Sequence, residues 1–262
     1  MKKILLETKR LTKYFGGLGA VKQVDFYTNA GEIVSLIGPN GAGKTTFFNL
    51  ITGFLRPTEG RILYEGKDIT RLKPHQVADV GMVRTFQKTK VFPQVSVLEG
   101  VMMGCHRKAH LSVWSAVANT NYARDLQNKV TQKAMQILQH IGIEQRAHTL
   151  AKNLPYGEQR LLEIAVAMGS DPELLLLDEP TAGMNPEETK RTMDLIYKIR
   201  DEGITVLLVE HDMNVVMGIS DRIVVLDSGS KIAEGLPKEI QENEEVIKAY
   251  LGEEYISHVE DR

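Results

Sequence analysis

The chain has 262 residues, 42% of them hydrophobic and 25% charged, with a net charge of −2. That balance is ordinary for a globular protein and gives no sign of the basic face a nucleic-acid binder carries. The single cysteine, Cys105, excludes an internal disulfide and fits a reduced compartment. No window approaches the roughly 18 apolar residues of a membrane span. The chain is therefore expected to be cytoplasmic, reaching a membrane only through a partner.

In chain order, Ile4-Leu5-Leu6 is too short for a signal-peptide core and reads as an opening strand. Residues 32–37, EIVSLI, form a short β-branched run before a glycine-rich turn, the pattern of a buried parallel strand. A helix is expected over 45–55, a turn over 56–60 and a hairpin strand over 61–66, with an apolar stretch over 80–87. From about Val97 to His148 the strand runs stop and helix-compatible residues dominate. There Val130, Ala134, Ile137, Leu138 and Ile141 share one helical face. Strand–helix alternation then resumes with a strand at 174–177, a helix over 186–202, and strands at 205–209 and 222–226. This predicts a mainly parallel α/β sheet with an inserted helical lobe. The tail ends in a helix whose expected buried face is Ile240, Val246, Ile247, Tyr250 and Leu251.

Residues 38–45, GPNGAGKT, fit G-x-x-x-x-G-K-[ST] between a strand and a helix. The glycines allow backbone N–H groups to turn inward around phosphate oxygens, and the helix that follows points its positive end at the same place. Lys44 supplies a charge for the β- and γ-phosphates, and Thr45 a hydroxyl for Mg²⁺. Gly38, Pro39, Asn40, Gly41, Ala42, Gly43, Lys44, Thr45 and Thr46 are thus the expected nucleotide-binding residues. The apolar run LLLLDEP at 174–180 ends in two carboxylates. Asp178 is placed to hold Mg²⁺ through water, and Glu179 to act as general base or to orient the attacking water. Gln87 and His211 close two further strand-like runs, at the end of the sheet where ligands bind. Gln87 suits metal and water, and His211 the γ-phosphate.

These residues resemble the ATP-binding subunit of an ABC transporter over nearly the whole chain. The motifs stand in the family's order: P-loop at 38–45, Q-loop Gln87, signature LPYGEQR at 154–160, Walker B at 174–179, D-loop at 182–185 and switch His211. The resemblance implies a P-loop core with a mainly parallel sheet, an antiparallel β subdomain near the N-terminus and an inserted α-helical lobe. It assigns residues 1–92 and 161–236 to the nucleotide-binding core, 93–160 to the signature lobe and 237–262 to a helical tail. It implies that Pro155, Tyr156, Gly157 and Glu158 contact the γ-phosphate of ATP bound to a second subunit. It also implies that Glu179, His211 and Gln87 act in hydrolysis, that Thr45, Gln87 and Asp178 serve Mg²⁺, and that Phe15 stacks on adenine, with Tyr14 the competing choice.

The stretches LPYG, RTFQ, AGMN, EHDM, ISDRI and VIKAYLG look like one branch, the branched-chain amino acid importer ATPases. The segment Cys105–Leu126, with Trp114, is similar to that branch's longer member. The implied partners are a second ATPase subunit (a shorter paralogue or the chain itself), transmembrane permease subunits and, indirectly, a substrate-binding protein, at the cytoplasmic face of the membrane. Amide or urea import, lipopolysaccharide export and a soluble ABC ATPase are the alternatives. The chain departs from the family's common pattern at Pro155 and Tyr156 in the signature and at Asn185 in the D-loop. The basic residues Arg71, Lys73, Arg84, Lys88 and Lys90 read equally as a groove for a membrane subunit's coupling helix or as a solvated face.

Overall fold

A computed structural model describes residues 3–85, 94–106 and 121–251. Gln87, Lys88, Lys90, Trp114 and the tail beyond Leu251 lie outside the described residues.

Two sheets organise the chain. Strands β1 (Ile4–Phe15), β2 (Leu18–Asn29), β4 (Glu59–Tyr64) and β5 (Lys67–Asp68) form an antiparallel sheet in the order β2-β1-β4-β5. The second sheet holds β3 (Ile33–Ile37), β6 (Met82–Arg84), β7 (Leu174–Asp178), β8 (Thr205–Val209), β9 (Arg222–Asp227) and β10 (Ser230–Gly235). Its order is β10-β9-β3-β8-β7-β6. All its pairings are parallel except β9 with the edge strand β10. Every residue of β3, β7 and β8 is buried, as a sheet covered on both faces requires.

Helix α1 (Lys44–Ile51) leaves the P-loop, and α2 (Pro74–Asp79) precedes β6. The helix expected to reach residue 55 ends at Ile51. Gly53 there takes φ +75°, and a Cβ on it would stand 2.7 Å from the Leu72 carbonyl oxygen. The helical lobe is α3 (Val97–His106), α4 (Asn121–Ile141) and α5 (Tyr156–Met168); α5 crosses the boundary drawn at residue 160. Val130, Ala134, Leu138 and Ile141 are buried on α4, with Ile137 packed beside them. They share one apolar cluster with Val83, Leu175 and Leu177 of the parallel sheet, so lobe and sheet pack as one body.

Helices α3 and α5 meet backbone to backbone. A Cβ on Gly104 would lie 2.2 Å from the Val166 carbonyl oxygen, and Ser170 Oγ donates to the Gly104 carbonyl at 3.2 Å. Cys105 is buried at this contact, and burial pushes its thiol pKa above the ordinary value.

Helix α6 (Pro186–Asp201) joins β7 to β8, and α7 (Met213–Ile219) joins β8 to β9. The tail forms α8 (Pro237–Gln241) and α9 (Glu244–Leu251). Ile240 and Val246 are buried against Val216, Ile223 and Val225. Ile247 and Tyr250, expected on the same buried face, are each 38% exposed. Helix α9 is short and lies at the edge of the fold, so only one side of it meets the core.

Arg222 ties the two sheets together. Its guanidinium donates to Glu32 at 2.8 and 3.1 Å and to the Tyr27 carbonyl at 2.8 Å, pairs with Glu234, and lies 4.1 Å from the Tyr27 ring centroid. Burial alone would raise the Glu32 carboxyl, but hydrogen bonds from Arg222 and Asn29 outweigh it and hold the pKa below 4.5.

Two predictions follow from this packing. Gly104→Ala overpacks the α3–α5 contact and lowers unfolding stability by about 1–3 kcal/mol, read from denaturant titration. Arg222→Met leaves the Glu32 carboxylate buried without its partner and costs about 3–5 kcal/mol at neutral pH. Because the native Glu32 pKa is depressed, its stabilisation is present above 4.5 and is lost as pH falls through the native value. Losing Arg222 lifts the variant's Glu32 pKa above the native one, so the gap between native and variant unfolding curves should narrow as pH falls from the variant's value to the native value.

Candidate nucleotide site

The site is built on strand ends held level by register. Leu36 of β3 and Asp178 of β7 both stand opposite Val209 of β8. The three strands therefore deliver the P-loop, Asp178-Glu179 and Glu210-His211 to the same edge of the sheet.

The P-loop follows β3 directly. Gly38 takes φ +148°, and a Cβ there would come 2.0 Å from the Leu226 carbonyl oxygen. Gly43 takes φ +101° as the residue before α1, with the Ala20 carbonyl oxygen 2.3 Å from where its Cβ would be. Only glycine fits either position. Lys44 is buried, and its Nζ donates to the carbonyls of Gly38 at 2.6 Å and Pro39 at 3.0 Å. Burial lowers its ammonium pKa, while the Glu179 and Asp178 carboxylates act in the other direction.

A pocket of about 270 Å³ opens over this loop. It is lined by residues 40–46 together with Ala20, Glu179, Val209 and His211. His211 Nε2 lies 2.9 Å from Glu179 Oε1, and Glu179 takes a left-handed backbone conformation, φ +50°. Asp178 is buried behind them, its Oδ2 receiving a 2.6 Å bond from Arg84 Nη2. Arg84 is thus no member of a surface charge cluster. Tyr14 and Phe15 close β1 and are both exposed rather than core residues, 45% and 48% respectively. Tyr14 packs against Gly19, and Lys13 Nζ stands 5.2 Å from the Phe15 ring centroid.

Two contributors are not evident from motif order. Ala20 on β2 walls the pocket through its contact with Gly43. Glu210 is buried and accepts from the Thr181 N–H at 3.0 Å, from the Thr181 hydroxyl and from the His211 N–H at 2.8 Å. It binds the turn after Glu179 to the turn bearing His211. A charged residue within an otherwise apolar strand run was the available signal for it.

The residues 155–158 do not line this pocket. They open α5, with Pro155 at the N-cap and no side-chain cap bond, so the first N–H groups of the helix have no partner within the helix, and Gly157 among them is buried. The Glu158 carboxylate is drawn to Arg146 at 2.9 Å. Tyr156 lies against Gly183, accepts from Arg160 Nη2 at 2.9 Å and carries the Arg160 guanidinium over its ring. A Cβ on Gly157 would meet Glu188 Oε1 at 2.7 Å. Asn185 caps α6, accepting from the N–H groups of Glu187 and Glu188 at 3.0 Å each.

A second depression, about 460 Å³ and largely apolar, lies between α2 and β6 on one side and α3 and α5 on the other. Phe54, Val77, Met103 and Val166 line it, with Phe54 and Met103 conspicuously exposed. Glu163 stands at its wall, paired with Arg160 at 3.1 Å; its Oε1 has no partner, and burial raises its pKa against the opposing pull of Arg160.

Comparison with known proteins agrees with this geometry. The family model described as ABC transporter matches residues 21–182, and that of the branched-chain amino acid ATP-binding cassette transporter matches residues 230–256. The high-affinity branched-chain amino acid transport ATP-binding protein LivG of Escherichia coli (strain K12) is 46% identical, covering 97% of this chain and 100% of its own length. BraF of Pseudomonas aeruginosa, of the same description, is 44% identical over the same shares. An ATP-binding cassette of an ABC transporter solved in its ADP conformation superposes with a TM-score of 0.84 at 32% identity, over 95% of this chain and 99% of that one. A dimeric cassette bound to ADP and Pi gives 0.76 at 26% identity, over 89% and 99%. The chain belongs to the ABC transporter family, as an ATP-binding protein of the branched-chain amino acid transport type.

Proposed function

We propose that this ABC transporter ATPase binds Mg²⁺–ATP in the pocket over residues 38–46 and hydrolyses it with Glu179, powering uptake of branched-chain or related amino acids. The observation that carries this reading is the convergence of Lys44, Glu179 and His211 on one pocket at the sheet edge.

Phosphate oxygens take over the Lys44 bonds now made to the Gly38 and Pro39 carbonyls, adding charge to the dipole of α1. Phe15, exposed at the end of β1, offers its face to adenine. Glu179 accepts the proton of the attacking water, and His211, bonded to it, orients the carboxylate and meets the γ-phosphate.

The donor set suits Mg²⁺. No group of three or more His, Cys, Asp and Glu capable of caging a metal occurs among the described residues. An exposed Thr45 hydroxyl and the Asp178 carboxylate are what a cation held mainly by phosphates and water needs. Gln87 is the third candidate. When bound, the ion neutralises charge on the transferring phosphoryl group.

The α5 N-terminus completes the site of a second subunit: the residues 155–158 stay outside their own pocket, and the N–H groups of residues 156–158, which no side chain caps, suit an anion. The second subunit is this chain or a shorter relative. The apolar groove beside α2 and α5 receives a helix of the permease, with Arg71 and Lys73 exposed near it. No described helix is long and apolar enough to cross a membrane, so this docking would bring the chain to the cytoplasmic face.

Glu179→Gln should retain ATP binding within about threefold while turnover falls by about 10²–10⁴. Native turnover in that variant would remove Glu179 from the chemistry. Specific activity of the purified chain should climb with its concentration, or on mixing with the shorter ATPase, because half of each site comes from the partner. Per-chain activity that stays constant down to the lowest concentrations, and on mixing, would overturn the trans role of the signature.

A further inference from the structure

Arg84 has no assigned role in the nucleotide site, yet it bonds both Asp178 and the helix that carries Thr45. Its strand is paired with β7, where Arg84 stands opposite Leu176, two residues before Asp178. Its guanidinium forks. Nη2 donates to Asp178 Oδ2 at 2.6 Å, and Nη1 donates to Asn49 Oδ1 at 2.7 Å. The same group lies 5.5 Å from the Phe48 ring centroid. The Arg84 and Asp178 side chains are only 14% and 4% exposed. Asn49 is on α1 four residues after Thr45, so the two share a helix face. A second bond supports the same strand pair: the Thr85 N–H donates to the Leu176 carbonyl at 2.9 Å.

We propose that Arg84 is a positioning residue for the metal site: its fork fixes the Asp178 carboxylate relative to the Thr45-bearing helix, leaving Oδ1 for a water of the cation's shell. The planar guanidinium is suited to this, because it holds two acceptors in one rigid plane, which a lysine ammonium cannot do. Arg84 also supplies the counter-charge that a buried carboxylate requires when no cation is bound. The inference rests on the reading of Asp178 as the carboxylate that serves Mg²⁺.

The test is equilibrium binding of a non-hydrolysable ATP analogue to the full chain, with Mg²⁺ and with EDTA. Native protein, Arg84→Gln, Asp178→Asn and the double variant are compared. Arg84→Gln should cut the affinity gained from Mg²⁺ about tenfold, the scale of lost outer-shell support, while binding in EDTA changes less than about threefold. In the Asp178→Asn background the same substitution should change that gain less than about twofold. Equal losses in both backgrounds, or no loss in the native one, would overturn the proposal. Asn49→Ala keeps the ion pair but removes one arm of the fork, so it serves if Arg84→Gln fails to fold. It should lower the Mg²⁺-dependent gain by about two- to fivefold, and an unchanged gain would count against the fork. If Asp178→Asn leaves the gain intact, the metal reading of Asp178 falls and takes this inference with it. If Asp178→Asn abolishes the gain and Arg84→Gln does not, only the inference falls.

Discussion

Backbone register at the carboxyl edge of the parallel sheet is the constraint on which the rest of the site depends. Leu36 and Asp178 both stand level with Val209, so the P-loop, the two carboxylates and the switch histidine leave the sheet at one height. No side chain has to reach far. The peptide ladder, whose spacing is set by hydrogen bonds, does the placing. Local devices then refine it. Glycines at 38 and 43 let the loop pass under the carbonyls of Leu226 and Ala20, and Glu210 joins the turns that leave β7 and β8.

Three buried carboxylates follow one rule. Asp178, Glu32 and Glu210 are each satisfied by donors that come from a different strand or turn. A buried carboxylate left alone would cost far more than the exposed pairs elsewhere in the chain return. These pairs therefore act as pins between elements. Arg222 pins the antiparallel sheet to the parallel one, and Arg84 pins β6 and α1 to β7.

The sheet, the P-loop and the Asp178-Glu179 pair were legible because each is a local pattern: a fully apolar run, a glycine spacing, two acids at a strand end. The buried face of α4 was legible for the same reason, since periodicity along one helix reports one surface. Arg84 was not. As a basic residue among Lys73, Lys88 and Lys90 it reads equally as part of a docking groove or as a solvated face, and its partner is 94 positions away. Glu210 was passed over as the end of a strand, although its partner Thr181 lies 29 positions back. The tail erred in the other direction. Ile247 and Tyr250 follow the helical period of Val246, but α9 meets the core along too narrow a line to bury them. Periodicity shows which residues face together, and only tertiary contact decides whether anything covers that face.

The signature region shows why departures from a family pattern collect where they do. At the sheet edge the motif positions are side chains, and the chain keeps Lys44, Thr45, Asp178, Glu179 and His211 in place. At the start of α5 the backbone N–H donors of the first turn have no side-chain cap, and any residue but proline supplies them at those positions. The side chains of Tyr156 and Glu158 are directed into their own chain instead, onto Gly183 with Arg160 and onto Arg146. Pro155 sits at the N-cap, where its missing N–H removes no helical bond. The Tyr156 ring sets the packing between this helix and the turn before α6, standing 2.9 Å from where a Cβ on Gly183 would lie.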